Sequence, residues 1–321
     1  MVNTIAVLTS GGDAPGMNAA IRAVVREGKF HNLKMVGVRK GYKGLLHGDF
    51  AELTARNVSD TLGRGGTILQ TARCKEFREP EGYLAAIEKC RYAGIDGLIV
   101  IGGDGSFRGV RDLAGEGFPV IGIPGTIDND IPYTDYTIGF DTAVNTAVEA
   151  VDKIRVTASS HHRCNIIEVM GRNSGQIAIN VGIACGAEAA IIPEMVPEER
   201  PDIVQVINDG IRRGKTHFII VLAEGIGGAE EMRARAERET GITTRTNILG
   251  YMQRGGVPTV RDRVMASLFG VHAVRLLLEG KFGRLVGTRN GEIYDIDVEE
   301  GLAVEKPMDR EIIETAMRLS I

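Results

Sequence analysis

Short apolar runs alternate with amphipathic segments along most of this 321-residue chain. "TIAVL" (Thr4 to Leu8), "KMVGV", "GLIVIGG", "PVIGIPG", "RCNIIEVMG" and "HFIIVLAEG" are each short and rich in Ile and Val, and most end in glycine or run into a charged residue. Runs of that kind read as buried strands. Segments with helical spacing lie between them. "GMNAAIRAVVREG" opens at Gly16, and apolar positions recur at Phe140, Val144, Ala147, Val148, Val151 and Ile154. "RPDIVQVINDGIRRG" and "AEEMRARAERETG" both close on glycine, a frequent residue just past a helix C-terminus. "TVRDRVMASLFGVHAVRLLLEG" predicts a long helix ending at Gly280, and a last helix is predicted from Asp309 to Arg318. Apolar strands joined by helices predict a parallel sheet covered on both faces.

The length favours two domains, each able to bury its own core. A break near Gly139 separates them, and the late helix packing back on the first sheet would make the first domain discontinuous. Hydrophobic residues are 43% and charged ones 25% of the chain, an ordinary globular balance. The net charge of −4 argues against a global attraction to nucleic acid or an acidic membrane. No apolar stretch reaches the ~20 residues that span a bilayer, and no basic region precedes an apolar run at the N-terminus. Neither anchor nor leader is therefore expected, and the chain reads as cytoplasmic. Cys74, Cys90, Cys164 and Cys185 form no CxxC pair, which predicts reduced thiols rather than a disulfide or zinc framework. Glycine is the outlier at 42 residues, grouped after apolar runs, which points to loops that approach a ligand closely. Trp is absent, so a tryptophan-lined sugar groove is excluded.

Open parallel sheets bind ligands at the carboxyl ends of their strands, and here those ends are polar. The first strand leads into "TSGGDAPGMNAAI". Gly11 and Gly12 precede a helix start near Pro15 or Gly16, and amide groups at such a start favour a phosphate; a plain glycine turn is the alternative. The stretch is neither a Walker loop nor GxGxxG. "IVIGGDGSFRG" repeats the arrangement with Asp104 at its tip. An aspartate in a phosphate site commonly holds Mg2+, and Ser106 either caps the next helix or meets the ligand; otherwise Asp104 is a turn residue. The third end is "IGIPGTIDNDIPYTD". On an extended segment Asp128 and Asp130 point one way and Asn129 the other. Pro124 and Pro132 stiffen it, and a carboxylate facing a hydroxyl acts as a general base; a hairpin turn is the alternative.

Arg64, Arg73, Arg163, Arg172, Arg245 and Arg254 stand at strand ends or in turns. A guanidinium fork binds phosphate oxygens bidentately, so this set points to a substrate with several phosphates; solvated surface residues are the alternative. His161 and His162 do not read as a metal pair, because neighbours on one helix point apart and no further ligands accompany them. GxSxG is absent and no Cys–His pairing has local support, so a hydrolytic triad is not expected.

Together, "GGDAPGMNA", "GGDGS", "PGTIDND", "EVMGR" and "QRGG" resemble the bacterial ATP-dependent 6-phosphofructokinase family, in order and spacing, from Thr4 to at least Arg263. "GGDGS" alone is shared with NAD and lipid kinases, whereas "PGTIDND" with "MGR" is specific. The resemblance implies an α/β fold of two Rossmann-like parallel-sheet domains, each three-layered αβα, with the active site between them. Residues 1–139 plus about 252–303 would bind ATP, and residues 140–251 plus about 304–321 the sugar phosphate. The implied reaction moves the γ-phosphoryl of ATP to the 1-hydroxyl of fructose 6-phosphate, the committed step of glycolysis. Asp128 would be the base and Thr126 its neighbour at the transferring group. Gly12, Arg73, Cys74, Gly103, Asp104, Gly105 and Ser106 would line the nucleotide site, with Asp104 serving Mg2+. The sugar phosphate would meet Thr126, Ile127, Asp128, Met170, Gly171, Arg172, Glu224, Tyr251, Met252, Gln253 and Arg254. Arg172 would also stabilise transition-state charge, Glu224 would bind a sugar hydroxyl and Arg254 the 6-phosphate. Arg163 and Arg245 would reach that phosphate from a neighbouring subunit of a homotetramer.

Pyrophosphate-using relatives typically carry Asp in place of Gly105 and Lys in place of Gly125. Asp would crowd and repel the α-phosphate, and Lys would fill space and add charge near the phosphates; glycine at both positions implies ATP. The family also has an effector site between subunits, activated by ADP and inhibited by phosphoenolpyruvate. Matching positions are Arg22, Ala23, Val24, Val25 and Arg26, then Ala55, Arg56, Asn57, Val58, Ser59 and Asp60, then Arg155, then Gly186, Ala187 and Glu188, and finally Arg213, Lys215, Thr216 and His217. Arg22 and Arg26 share one face of the first helix; a solvated face is the alternative. Tyr251 replaces a histidine expected beside the 6-phosphate, Ala55 an effector-loop arginine, and Arg213 a lysine. Asp130 is read as a supporting carboxylate. Two other readings compete. A NAD or lipid kinase built around "GGDGS" leaves "TIDND", "MGR" and "QRGG" unexplained. A non-catalytic regulatory subunit would be expected to lose Asp104 or Asp128, and both are present.

Overall fold

The computed structural model describes residues 2–305 and 307–320. Its elements run in the order β1 (Thr4–Thr9), α1 (Met17–Phe30), β2 (Lys34–Val38), α2 (Gly41–His47), β3 (Phe50–Glu52), α3 (Pro80–Tyr92), β4 (Gly97–Gly102), α4 (Asp104–Gly115), β5 (Val120–Thr126), β6 (Ile138–Gly139), α5 (Phe140–His161), β7 (Cys164–Val169), α6 (Gln176–Cys185), β8 (Ala189–Ile191), α7 (Ile203–Arg212), β9 (Phe218–Ala223), α8 (Ala229–Thr240), β10 (Thr244–Ile248), α9 (Val260–Leu278), β11 (Arg284–Arg289), β12 (Glu292–Asp297), α10 (Val298–Ala303) and α11 (Arg310–Leu319). Each of the apolar runs is a strand and each predicted helix is present. His162 lies past the end of α5 with φ +53°, so the two histidines do not share a helix.

The described residues fall into two units, one of residues 2–127, 131–142 and 254–305, the other of residues 128–130, 143–253 and 307–320. The first holds a sheet of order β12-β11-β5-β4-β1-β2-β3, with β6 added to β5. β2, β1, β4, β5 and β11 are parallel. The edges β3 and β12 run antiparallel, which the apolar pattern did not predict. Side chains alternate across the strands. Ala6, Leu8, Val36, Leu98, Val100 and Leu285 meet Ala86, Ile87 and Cys90 of α3 and Phe107, Val110 and Leu113 of α4. On the other face α1 and α9 pack together, with Leu277 of α9 against Gly97 and Met17 of α1 against Gly125. Each such buried Leu, Met or Phe contributes about 1.5–3 kcal/mol.

The second unit is built on a four-stranded parallel sheet of order β10-β7-β9-β8. Ile166, Ile220 and Leu222 meet Ile203 and Ile207 of α7 and Ala236 of α8. α6 packs on β9, and α11 on α6 and β8. The Asp202 side chain accepts from Val204 N and starts α7. Both units are thus α/β layers around a mainly parallel sheet, as predicted. The helix α5 begins in the first unit and continues in the second. Among the described residues no helix is long and apolar enough to cross a membrane.

Candidate active site

In the first unit β1, β4 and β5 are parallel neighbours, so their carboxyl ends lie side by side. After β1, the chain turns at Gly16 (φ +104°), the N-cap of α1, which no side chain caps. Arg254 lies over this loop. Its Nη1 donates to the Asp13 carbonyl at 3.1 Å, and a Cβ on Gly12 would stand 2.1 Å from it. The Arg254 Nε is buried and has no hydrogen-bond partner. Asn18, which the motifs do not flag, ties the next segment beside the loop. Its Nδ2 donates to the carbonyls of Arg64 and Gly65 at 2.9 and 3.3 Å, and its Oδ1 accepts from Ile68 N at 2.8 Å. Thr71 Oγ1 donates to the Gly11 carbonyl at 2.8 Å; Arg73, which is exposed, and half-buried Cys74 follow. The Cys74 thiol donates to Glu76 at 3.4 Å, and burial pushes it up.

After β4, α4 starts at Asp104 with Gly103 as its N-cap. Ser106 therefore does not cap the helix, one of its two expected roles. It is buried within the first turn, where its carbonyl accepts from Tyr42 Oη at 2.6 Å. Its Oγ occupies the space over Gly102, 2.5 Å from where a Cβ there would stand. Asp104 is partly exposed and pairs with Arg108 one turn on, at 3.2 Å. Gly105 faces open space, for a Cβ there would meet nothing within 4 Å. Packing therefore gives no reason for glycine at that position. Gly125 differs: a Cβ would stand 3.1 Å from Ile101 and 3.2 Å from Met17, so a side chain there would press on both.

β5 ends at Thr126, which pairs with Gly139 of β6. Thr137 Oγ1 donates to the Thr126 carbonyl at 2.7 Å. A Cβ on Gly103 would stand 3.6 Å from Thr126 Cβ, so the second and third strand ends touch. Ile127 is fully buried and Asp128 is 8% exposed. The segment is not extended beyond Thr126, because Asn129 is left-handed at φ +48°. The alternation that would aim Asp128 and Asp130 the same way does not hold there.

Asp262, in the first turn of α9, also escapes the motifs. It is fully buried. Its Oδ1 accepts from Tyr136 Oη at 2.5 Å and Gly139 N at 2.6 Å; its Oδ2 accepts from Thr142 N at 2.9 Å and from Thr142 Oγ1. Burial pushes its carboxyl up, against the pull of those four donors. Stranding a buried donor costs on the order of 1–3 kcal/mol, so this network strongly specifies an acceptor at position 262.

In the second unit, Met170, Gly171 and Arg172 follow β7. Met170 N donates to Gln253 Oε1 at 2.8 Å. Gly171 N and Arg172 N both donate to Glu224 Oε1, at 3.1 and 2.6 Å. Gly171 has φ +143°, and a Cβ there would stand 2.4 Å from the Ser174 carbonyl, so only glycine fits. The Glu168 carboxyl on β7 is pushed up by burial and then by Glu224. Gln253 is fully buried, whereas Tyr251 and Met252 beside it are exposed.

Arg163 and Arg245 stand at the opposite end of this sheet. Arg163 precedes β7, and Arg245, expected in a turn, lies inside β10 opposite Asn165. The six residues of β7 separate that end from Met170 by about 20 Å, so the chain does not bring these two arginines to Arg172.

The effector positions also sort by unit. Arg22 and Arg26 are one turn apart on α1, and burial and Arg26 together pull the Arg22 guanidinium down. The side chains of Ala23, Val24, Val25 and Val58 are buried, which leaves their backbone groups to meet a ligand. Ala55, Arg56, Asn57, Ser59 and Asp60 form a turn, with Ser59 Oγ donating to the Arg56 carbonyl at 2.7 Å. In the second unit Arg155 donates to the carbonyls of Cys185 and Gly186. Beside Ala187, buried Glu188 accepts from Lys215 Nζ at 2.5 Å and Ile219 N at 2.6 Å. Arg213 ends α7, Thr216 follows Lys215, and His217 Nδ1 is buried without a hydrogen-bond partner.

The phosphofructokinase family model matches residues 4–277. The chain belongs to the phosphofructokinase family. Curated relatives named ATP-dependent 6-phosphofructokinase from Clostridium botulinum (strain Loch Maree / Type A3) and Brevibacillus brevis are 53% and 54% identical. They cover 99% of this chain and 100% and 99% of their own. Among solved structures, phosphofructokinase from Saccharomyces cerevisiae matches with TM-score 0.88 at 36% identity over 99% of this chain; the chain spans 48% of the yeast chain. A pyrophosphate-dependent phosphofructokinase from Marinobacter aquaeolei matches with TM-score 0.85 at 22% identity, over 100% of this chain and 92% of that one, and shares the fold. The family and the α/β fold expected from the motifs are both confirmed.

Proposed function

We propose that this enzyme transfers the γ-phosphoryl group of ATP to the 1-hydroxyl of fructose 6-phosphate, the committed step of glycolysis, in the cytoplasm. The relatives of matching length support the activity. One observation carries the site: the adjoining ends of β1, β4 and β5, with the Gly12 loop under Arg254, open space at Gly105 and Thr126 beside Gly103. The two helix starts there favour phosphate groups, and the space at Gly105 supports a donor bulkier than pyrophosphate.

Phosphoryl transfer has a loose transition state, so positioning and charge neutralisation dominate. Asp128 takes the proton of the 1-hydroxyl. An ordinary Asp, of pKa ~3.9, is a weak base, which suffices because the proton leaves late, as the bond to phosphorus develops. Thr126 flanks the transferring group. Gly12, Arg73, Cys74, Gly103, Gly105 and Ser106 line the nucleotide. Asp104 fits Mg2+, which phosphate sites hold with one or two carboxylates, waters and the phosphates themselves. When bound, the ion neutralises phosphate charge. Met170 and Gly171 hold the sugar, Arg172 neutralises charge, and Glu224 fixes the Arg172 amide with one oxygen and offers the other to a sugar hydroxyl. Ile127, Tyr251, Met252 and Gln253 complete the sugar-phosphate contacts, Arg254 binds the 6-phosphate, and Asp130 supports Asp128.

Arg163 and Arg245 serve a neighbouring subunit of a homotetramer, a role supported by their distance from Arg172 along β7. The same assembly carries the effector site, where ADP activates and phosphoenolpyruvate inhibits through Arg22, Arg26, Arg155, Arg213 and Lys215. Initial rates with fructose 6-phosphate, Mg2+ and either ATP or pyrophosphate test the reading. ATP is expected to support turnover about a hundredfold faster; faster turnover with pyrophosphate overturns it.

A further inference from the structure

Asp262 is a buried acid that the proposed chemistry does not use. A carboxylate offers about four acceptor sites, and here four donors face it: Tyr136 Oη, Gly139 N, Thr142 N and Thr142 Oγ1. One of these leads to the proposed phosphate site. Gly139 is the strand partner of Thr126, and Thr137, two residues earlier, donates to the Thr126 carbonyl. On its other side Asp262 backs the first glycine loop. A Cβ on Gly16 would stand 3.4 Å from Asp262 Cβ, 3.5 Å from its carbonyl and 2.7 Å from Ile138.

Asp262 is itself held. Its amide donates to Thr259 Oγ1 at 3.3 Å, and Thr259 N donates to Thr142 Oγ1 at 3.0 Å. Thr259 Oγ1 also bonds Asp141 at 2.6 Å. Arg261 lies 4.8 Å over the Tyr136 ring and covers the cluster. One residue thus holds the strand that pairs with Thr126 by hydrogen bonding and packs against Gly16, where the first glycine loop ends.

We propose, on the functional reading above, that Asp262 is a positioning residue for phosphoryl transfer, setting Thr126 and the Gly11–Gly16 loop in register with each other. Asn in its place would turn an amide group toward two of the four donors. A residue acting through alignment alone lowers kcat and leaves the binding of both substrates in place.

The test compares full-length wild type, Asp262→Asn and Tyr136→Phe for kcat, for KM of ATP and fructose 6-phosphate, and for thermal melting. Asp262→Asn is expected to lose about thirtyfold or more in kcat with both KM values within about threefold. Tyr136→Phe removes one O–H and keeps the ring; it is expected to lose about three- to tenfold in kcat with unchanged KM and a melting point within a few degrees. Tyr136→Phe decides alone where Asp262→Asn does not fold. Wild-type kcat in the folded variants, or losses carried by KM, overturn the proposal while the functional reading stands. A wild type without turnover on ATP and fructose 6-phosphate overturns the reading and the proposal with it.

Discussion

Arg172 donates its amide hydrogen to Glu224 Oε1 at 2.6 Å while its backbone sits in the left-handed region at φ +57°. A residue with a Cβ adopts that region rarely, so an acceptor at this spot selects the conformation. Glu224 reaches it because β7 and β9 are parallel neighbours and both residues lie just past their carboxyl ends.

Removing that acceptor releases the Arg172 turn. Glu224→Ala is expected to raise KM for fructose 6-phosphate by about tenfold or more, and Glu224→Gln, which keeps one oxygen, by clearly less. Steady-state kinetics at saturating ATP check both; equal effects would show that charge rather than the acceptor matters.

Gly105 gives a test free of folding effects. A Cβ there meets no atom within 4 Å, so Gly105→Asp leaves the core untouched. Melting is expected to shift by no more than a few degrees, while KM for ATP rises about tenfold or more from crowding and repulsion at the phosphates. Unchanged ATP kinetics would move the nucleotide away from α4.

Gly12 separates steric from folding effects in a different way. A Cβ there would stand 2.1 Å from Arg254 Nη1, the far end of a flexible side chain. Gly12→Ala is therefore expected to fold and to displace the guanidinium. KM for fructose 6-phosphate rises about tenfold if Arg254 binds the 6-phosphate. Fructose 6-phosphate titrations of the variant measure it.

The thiols differ by burial. Burial pushes Cys90 and Cys164 up to about 12 and Cys185 up to about 11. A raised thiol pKa means little thiolate below it, and the thiolate is the reactive form. At pH 8, iodoacetamide is expected to label Cys74 first and to spare Cys90 and Cys164 until the chain unfolds. On the proposed nucleotide site, ATP is expected to slow labelling of Cys74. Peptide mass spectrometry gives the order, and early labelling of Cys90 would contradict the buried core around α3.

The central strands are legible in the sequence because a parallel strand buried on both faces is apolar along its middle, as Ile5 to Leu8 of β1 and all of Phe218–Ala223 are. β10 is an edge strand with polar, half-exposed residues, so Arg245 reads there as a turn residue. α6 is apolar on all sides, under α11 and against β9, and shows no helical period. The glycine loops announce themselves because their function is local. Asn18, Glu224 acting as a brace, and Asp262 depend on partners 46 to 126 residues away in sequence, which no local pattern carries. The turn at Asn129 likewise hides from an alternation rule that assumes extended chain.

The most direct test is the turnover of Asp128→Asn against wild type, with ATP, Mg2+ and fructose 6-phosphate in a coupled assay. The substitution keeps the side-chain size and removes the proposed base. If Asp128 takes the proton, kcat falls by about a hundredfold or more while KM for either substrate stays within about threefold. Turnover within about threefold of wild type would contradict that role.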